Sequence, residues 1–133
     1  MAEIQLNIVT PEKTVYAGAV QRVRAPGSEG SFGVLPGHTP LLASLAVGEI
    51  AFVEADDTAV RLAASGGFAE VQPDRVTILA EAAERIDEID VDRAQRARDR
   101  AKERLDGGTG IDATRAQASL ARALNRLKVV GNN

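Results

Sequence analysis

The composition of this 133-residue chain breaks near residue 85, and that break constrains the fold more than any motif does. All five prolines (Pro11, Pro26, Pro36, Pro40, Pro73) and all four aromatics (Tyr16, Phe32, Phe52, Phe68) lie before it. Beyond it there are none, and Ala and Arg dominate. Proline is excluded from helix interiors, because its ring clashes with the preceding turn and it lacks the N–H that the turn needs; Ala and Arg are strong helix formers. The chain therefore reads as a β unit, residues 1–86, followed by a helical unit, residues 87–133. A chain of this length suits one core with an appendage, or two small units.

Charge divides at nearly the same place. Residues 1–88 carry six basic and thirteen acidic groups; residues 89–133 carry ten basic and six acidic groups. The net charge of −3 thus joins an acidic half to a basic one, which suggests different partners for each, or simply a solvated Arg-rich helix surface at the basic end.

In the first unit Ile4, Leu6 and Ile8 alternate with Glu3, Gln5 and Asn7, the period of a half-buried strand. An extended stretch, Thr14–Arg24, is expected to break at Pro26-Gly27-Ser28-Glu29-Gly30. Short apolar runs follow at 31–35, 41–45, 49–54, 59–63, 68–71 and 75–80. Pro36-Gly37, Asp56-Asp57, Ser65-Gly66-Gly67 and Pro73-Asp74 separate them as turns. Many short strands with frequent turns predict a β-sandwich of about eight to ten strands.

The second unit predicts an antiparallel two-helix hairpin, helices at about 91–105 and 113–130, joined by Gly107-Gly108-Thr109-Gly110. The facing stripes would be Val91, Ala94, Ala97, Ala101 and Leu105 against Ala113, Ala116, Leu120, Leu124 and Leu127. Alanine buries little area, and each buried methylene is worth only about 0.8 kcal/mol. Such a hairpin is marginal alone and has the profile of a movable element.

Both helices open on the same pattern, I-D-x-x-R-A: Ile89-Asp90-Val91-Asp92-Arg93-Ala94 and Ile111-Asp112-Ala113-Thr114-Arg115-Ala116. Asp is a favoured N-cap, and the preceding Ile packs on the Ala at N4 as a hydrophobic staple, so the pattern needs no ligand. Context separates the copies. Glu84 precedes the first, Arg100 lies two turns beyond Arg93, and Arg122 and Arg126 lie one turn apart on the second helix. An antiparallel hairpin that gathers Arg93, Arg100, Arg122 and Arg126 calls for an anion between them, and phosphate matches the guanidinium fork. The competing readings are solvated arginines, or arginines paired with Asp99 and Glu103.

Other chemistry is excluded by what is missing. No G-x-x-x-x-G-K-[ST] grips a triphosphate, and the glycines at 27, 30 and 33 open no helix. With no cysteine and one histidine there is no expected metal site, no disulfide, and no nucleophile–base pair; His38, in a Pro-Gly loop, reads as an interface residue. Asp56-Asp57 reads as a solvated turn. An acidic pI and aromatics confined to the β unit disfavour nucleic acid. No apolar run approaches the roughly 20 residues needed to span a membrane, and residues 1–9 resemble neither a secretory signal nor a transit peptide. A soluble protein is expected, unless a partner holds it at a membrane.

Three segments carry a resemblance that spans the chain: Gly27-Ser28-Glu29-Gly30-Ser31-Phe32-Gly33-Val34-Leu35-Pro36-Gly37-His38-Thr39-Pro40-Leu41, Ser65-Gly66-Gly67-Phe68-Ala69-Glu70-Val71-Gln72-Pro73-Asp74-Arg75-Val76-Thr77, and Arg122-Ala123-Leu124-Asn125-Arg126-Leu127. With the first I-D-x-x-R-A copy, they resemble the epsilon subunits of F-type ATP synthases. The resemblance implies a non-catalytic rotor subunit. Its β-sandwich would bind the central gamma stalk and the ring of membrane c subunits. Its hairpin would fold down, or extend into the alpha/beta head and inhibit ATP hydrolysis. It implies no required cofactor, with ATP as a regulatory ligand at Glu84, Ile89, Asp90, Arg93, Arg100, Arg122 and Arg126. It also implies a ring-facing surface at Glu29, Ser31 and His38, with Ser31 standing where relatives carry an acidic residue. Location would be the cytoplasmic face of a bacterial plasma membrane, through the complex only. The alternative is a free-standing β-sandwich binding module with an anion-binding helical tail.

Overall fold

The structure, a computed structural model, describes residues 2–107 and 111–131. The chain divides into two compact units, Met1–Arg85 and Ile86–Asn133.

Among the described residues the first unit is built from seven strands: β1 (Ile4–Val9), β2 (Thr14–Gly27), β3 (Gly30–Val34), β4 (Leu41–Leu45), β5 (Gly48–Glu54), β6 (Ala59–Val71) and β7 (Arg75–Arg85). Strand β1 pairs antiparallel with β2 and parallel with β7. Strand β6 pairs with β7 and β5, and β5 returns to β2. The two longest strands change neighbours along their length. Residues 59–64 of β6 pair with β5, and residues 67–71 pair with β4. Strand β2 passes from β1 to β5 and β3. One hydrogen-bonded network thus folds into two layers. Between them lie Ile4, Leu6, Ile8, Ile50, Leu62 and Ile78, none with any exposed surface. The alternation read in Ile4–Ile8 is what turns β1 inward.

Seven strands replace the eight to ten expected, because one sequence of turn residues is not a turn. Ser65-Gly66-Gly67 forms a corner inside β6. Register with β7 is the same on both sides of it, Ser65↔Ala82 and Gly67↔Ala80. Gly66 and Gly67 have φ of +66° and +121°, which L side chains rarely adopt. Pro26 likewise sits inside β2 rather than ending it. It pairs with Ser31, and its carbonyl accepts the Ala46 N–H at 2.8 Å, so its missing donor costs no bond to β3. The break is the two-residue turn Ser28-Glu29. Strand β7 also runs on to Arg85, past the expected end at residue 80.

In the second unit a 3-10 turn (Ile86–Glu88) leads into α1 (Val91–Gly107) and α2 (Ile111–Gly131), which pack antiparallel. The expected connection at Gly108-Thr109-Gly110 lies outside the described residues. The seam is alanine: Ala94, Ala101, Ala116 and Ala123 are all 3% exposed or less. Of the stripe expected on α2, Ala116 is buried and Leu120 and Leu127 are half-buried, but Leu124 is 44% exposed and the fully buried Ala123 beside it takes its place. Val91, assigned to the α1 stripe, is exposed too. Small side chains let the helix axes approach closely, and the longer leucines are displaced to the flank. Among the described residues, no helix is long and apolar enough to cross a membrane.

Candidate functional site

On the hairpin, the alanine seam fixes where the arginines fall. Arg93, Arg100 and Arg122 each precede a seam alanine by one residue, and Arg126 follows Ala123 by three. At 100° per residue, and with the helices running in opposite directions, all four offsets rotate to the same flank. Val91, Leu105, Leu120 and Leu124 rotate to the other. Arg93, Arg122 and Arg126 lie near one level, while Arg100 lies about 10 Å along the axis. Arg93 and Arg100 are exposed, and Arg122 and Arg126 are half-buried. The Arg122 Nη2 donates to Ser119 Oγ at 3.3 Å. Asp99, weighed as a partner for these arginines, instead accepts from Arg98 at 3.1 Å. Glu84 lies on β7 opposite Ala63, in the first unit.

Asp90 is the N-cap of α1. Its Oδ1 accepts the Arg93 N–H at 3.0 Å, its carbonyl accepts the Ala94 N–H at 3.0 Å, and Ile89 and Ala94 are both buried, as a staple requires. Asp90→Ala is expected to destabilise the helical unit by about 1 kcal/mol without any ligand, read as a lower midpoint of helix loss on heating. An unchanged midpoint would leave the carboxylate without a structural role.

The three residues assigned to a ring-facing surface fall at two places. Glu29 is in the β2–β3 turn with Ser31 just beyond it, whose Oγ donates to the Ala25 carbonyl at 3.3 Å. The turn is tied to β4 by the Ser28 N–H on the Ser44 carbonyl at 2.9 Å and by Ser44 Oγ on Ser28 Oγ at 2.9 Å. His38 lies past the other end of β3, on the order of 15 Å away. Its loop is held to the β6–β7 turn by the Gly37 N–H on the Pro73 carbonyl at 2.7 Å. Its Nδ1 lies 2.5 Å from the Thr39 carbonyl. Asp56 keeps its reading as turn chemistry. Its Oδ1 accepts the Thr58 N–H at 3.0 Å, and hydrogen bonding from Thr58 lowers its pKa.

One surface has no counterpart in the sequence reading. Leu42, Phe68 and Leu79 are 71%, 55% and 55% exposed, on one outer layer of the sandwich. Phe68 stands directly opposite Leu79. Ser44 stands opposite Phe68 and Leu42 opposite Glu70, which puts Leu42 diagonal to Phe68. The three make an apolar stripe across β4, β6 and β7. The available signal was broken alternation: Leu41-Leu42 and Ile78-Leu79 put apolar side chains on both faces of their strands. Large apolar groups clustered in water mark an interaction surface.

A two-layer sandwich with an apolar outer stripe, followed by an arginine-flanked hairpin, has the surfaces of a binding protein, and comparison with known proteins specifies it. The ATP synthase delta/epsilon chain β-sandwich domain matches residues 3–86, and the long α-helix domain of the same chain matches residues 87–131. The chain belongs to the ATP synthase delta/epsilon chain family. It is 55% identical over 131 residues to the ATP synthase epsilon chain of Syntrophobacter fumaroxidans, covering 97% of each. It is 50% identical over 130 residues to that of Nitratidesulfovibrio vulgaris, covering 97% of this chain and 96% of the relative. In fold it is similar to a chain of the Euglena gracilis mitochondrial ATP synthase, solved as OSCP, F1 and c-ring in rotational state 1. The TM-score is 0.85 at 23% identity, over 96% of this chain and 81% of that one.

Proposed function

We propose that this chain is the epsilon subunit of a bacterial F-type ATP synthase, a non-catalytic component of the central stalk that couples ion translocation to ATP synthesis. The carrying observation is that both family domains match end to end, over residues 3–86 and 87–131. The sandwich binds the gamma subunit through the Leu42–Phe68–Leu79 stripe. The β2–β3 turn, with Glu29 and Ser31, reaches the c-ring, and His38 lies at the far end of that rotor surface. The basic hairpin extends into the alpha/beta head and inhibits ATP hydrolysis. The subunit is held at the cytoplasmic face of the plasma membrane by the complex alone.

The arginine flank gives the hairpin a ligand. Four guanidiniums on one side repel one another, and a triphosphate relieves that repulsion through charge-assisted hydrogen bonds. ATP held by Arg93, Arg100, Arg122 and Arg126, with Ile89 and Asp90 completing the site on the same unit, favours the folded hairpin. At ten times its Kd the ligand stabilises that state by about 1.4 kcal/mol, enough to matter for an alanine seam. Titration calorimetry of the full chain with millimolar ATP is expected to show saturable binding that Arg122→Ala with Arg126→Ala removes. No heat, or the same affinity in the double variant, contradicts it.

A further inference from the structure

Strand β3 is the last in its sheet. It pairs with β2 on one side and, among the described residues, with nothing on the other. Pro26 determines which of its backbone groups point outward. The Pro26 carbonyl is taken by the Ala46 N–H and therefore faces away from β3. In an antiparallel ladder both members of such a pair face apart, so the N–H and C=O of its partner Ser31 project from the free edge. By alternation those of Gly33 do as well. Proteins normally blunt such an edge with charge, proline or a bulge, because it templates another strand. Gly30–Val34 contains no charge and no proline. A Cβ built on Gly33 would meet nothing within 4 Å.

The chemistry beside this edge selects what can add to it. The outer face of β3, β2, β5 and β6 carries a groove of about 520 Å³, lined by Arg22, Arg24, Glu49, Ala51 and Arg61 among others. Arg61 holds Glu49 in a fork, at 3.1 and 2.7 Å, and this hydrogen bonding raises the Arg61 pKa. Arg24 reaches Glu49 only at 3.9 Å, with its side chain 63% exposed. Its cross-strand neighbour is Gly33, so no side chain stands between the Arg24 guanidinium and the edge. Arg22 is exposed on the same face. Three arginines against one glutamate make a positive patch on a unit that is otherwise acidic. On the core side of β3, Val34 is buried and Phe32 only half-buried.

We propose that the free edge of β3 docks an extended segment of a partner protein in which acidic and apolar side chains alternate. The incoming backbone pairs with Ser31 and Gly33. Its carboxylates meet Arg24 and Arg22, and its apolar side chains pack beside Phe32. This surface lies on the sandwich outside the apolar stripe, shares Ser31 with the proposed ring-facing turn, and goes beyond the proposed function.

The test uses the full-length chain and an eight-residue peptide of alternating valine and glutamate, followed by backbone amide NMR. Expected are saturable shifts centred on Ser31 and Gly33, slowed exchange of those two amides, and no binding of the valine–lysine counterpart. Arg24→Glu should weaken the acidic peptide by roughly tenfold or more, and Arg24→Gln by less. Arg24 is exposed, so each variant is expected to fold, which circular dichroism checks. The proposal is overturned by an absence of shifts at β3 with millimolar peptide, by equal binding of the two peptides, or by unchanged affinity in a folded Arg24→Glu chain.

Discussion

Replacing Gly67 with alanine is expected to cost the sandwich about 2–6 kcal/mol, a large share of the roughly 5–15 kcal/mol that holds a small domain together. Two independent effects add. At φ +121° an L side chain is strained by about 1–3 kcal/mol. A Cβ there would also lie 2.0 Å from the Leu79 carbonyl oxygen and 2.9 Å from Ala80 Cα, both backbone atoms of the paired strand. Strand β7 would have to move, and forced overpacking costs a further 1–3 kcal/mol or so. Gly66→Ala is the graded comparison. Its φ of +66° is the ordinary left-handed region, and the obstacle, at 3.1 Å, is the movable Glu81 carboxyl. A cost of about 1–2 kcal/mol is expected there. Gly33→Ala, with open space above it, should stay within about 0.5 kcal/mol of the parent. Urea unfolding of the three variants ranks them. Equal midpoints for Gly67→Ala and Gly33→Ala would mean that β6 has no corner at this position.

Phe68→Asp is expected to leave the fold intact and to weaken association with the gamma subunit by about 30- to 1000-fold. Phe68 is more than half exposed, so the free chain loses little packing. In the proposed interface it stands at the centre of the stripe, between Leu79 opposite and Leu42 on the diagonal, where a buried aromatic anchor carries about 2–4 kcal/mol. The new carboxylate would also lie on the same face as Glu70, adding like charge to a desolvated site. Leu35→Asp is the control, because Leu35 is 62% exposed but borders the arginine groove rather than the stripe. If both variants bound gamma alike, the stripe would not be the stalk surface.

The parts of this molecule that could be read from the sequence are those set by local rules. The β-to-helix division follows from where proline is tolerated. Strand β1 follows from alternation at Ile4, Leu6 and Ile8, and Asp90 from capping chemistry. The misreadings came where one local signal has two structural uses. Ser65-Gly66-Gly67 supplies positive φ, which serves a turn and a strand corner equally well, and only the unchanged register with β7 decides for the corner. Pro26 reads as a strand breaker unless its nitrogen falls at a position that owes no ladder bond to β3. In α2, a shift of one residue moves the seam from Leu124 to Ala123, and a stripe of both leucine and alanine does not fix that register. The grouping of arginines on one flank followed once the seam was known. The Leu42–Phe68–Leu79 stripe depends on pairing between distant strands, so no single segment displays it.

A stalk subunit must assemble with F1, and reconstitution reads that assembly. Purified full-length chain is added to a bacterial F1 assembly stripped of its own epsilon subunit, and the mixture is separated by size. The chain is expected to elute with gamma at one copy per assembly and to lower ATP hydrolysis, with inhibition, but not binding, lost when residues 87–133 are deleted. Failure of the intact, folded chain to elute with the assembly would mean that it is not a stalk subunit.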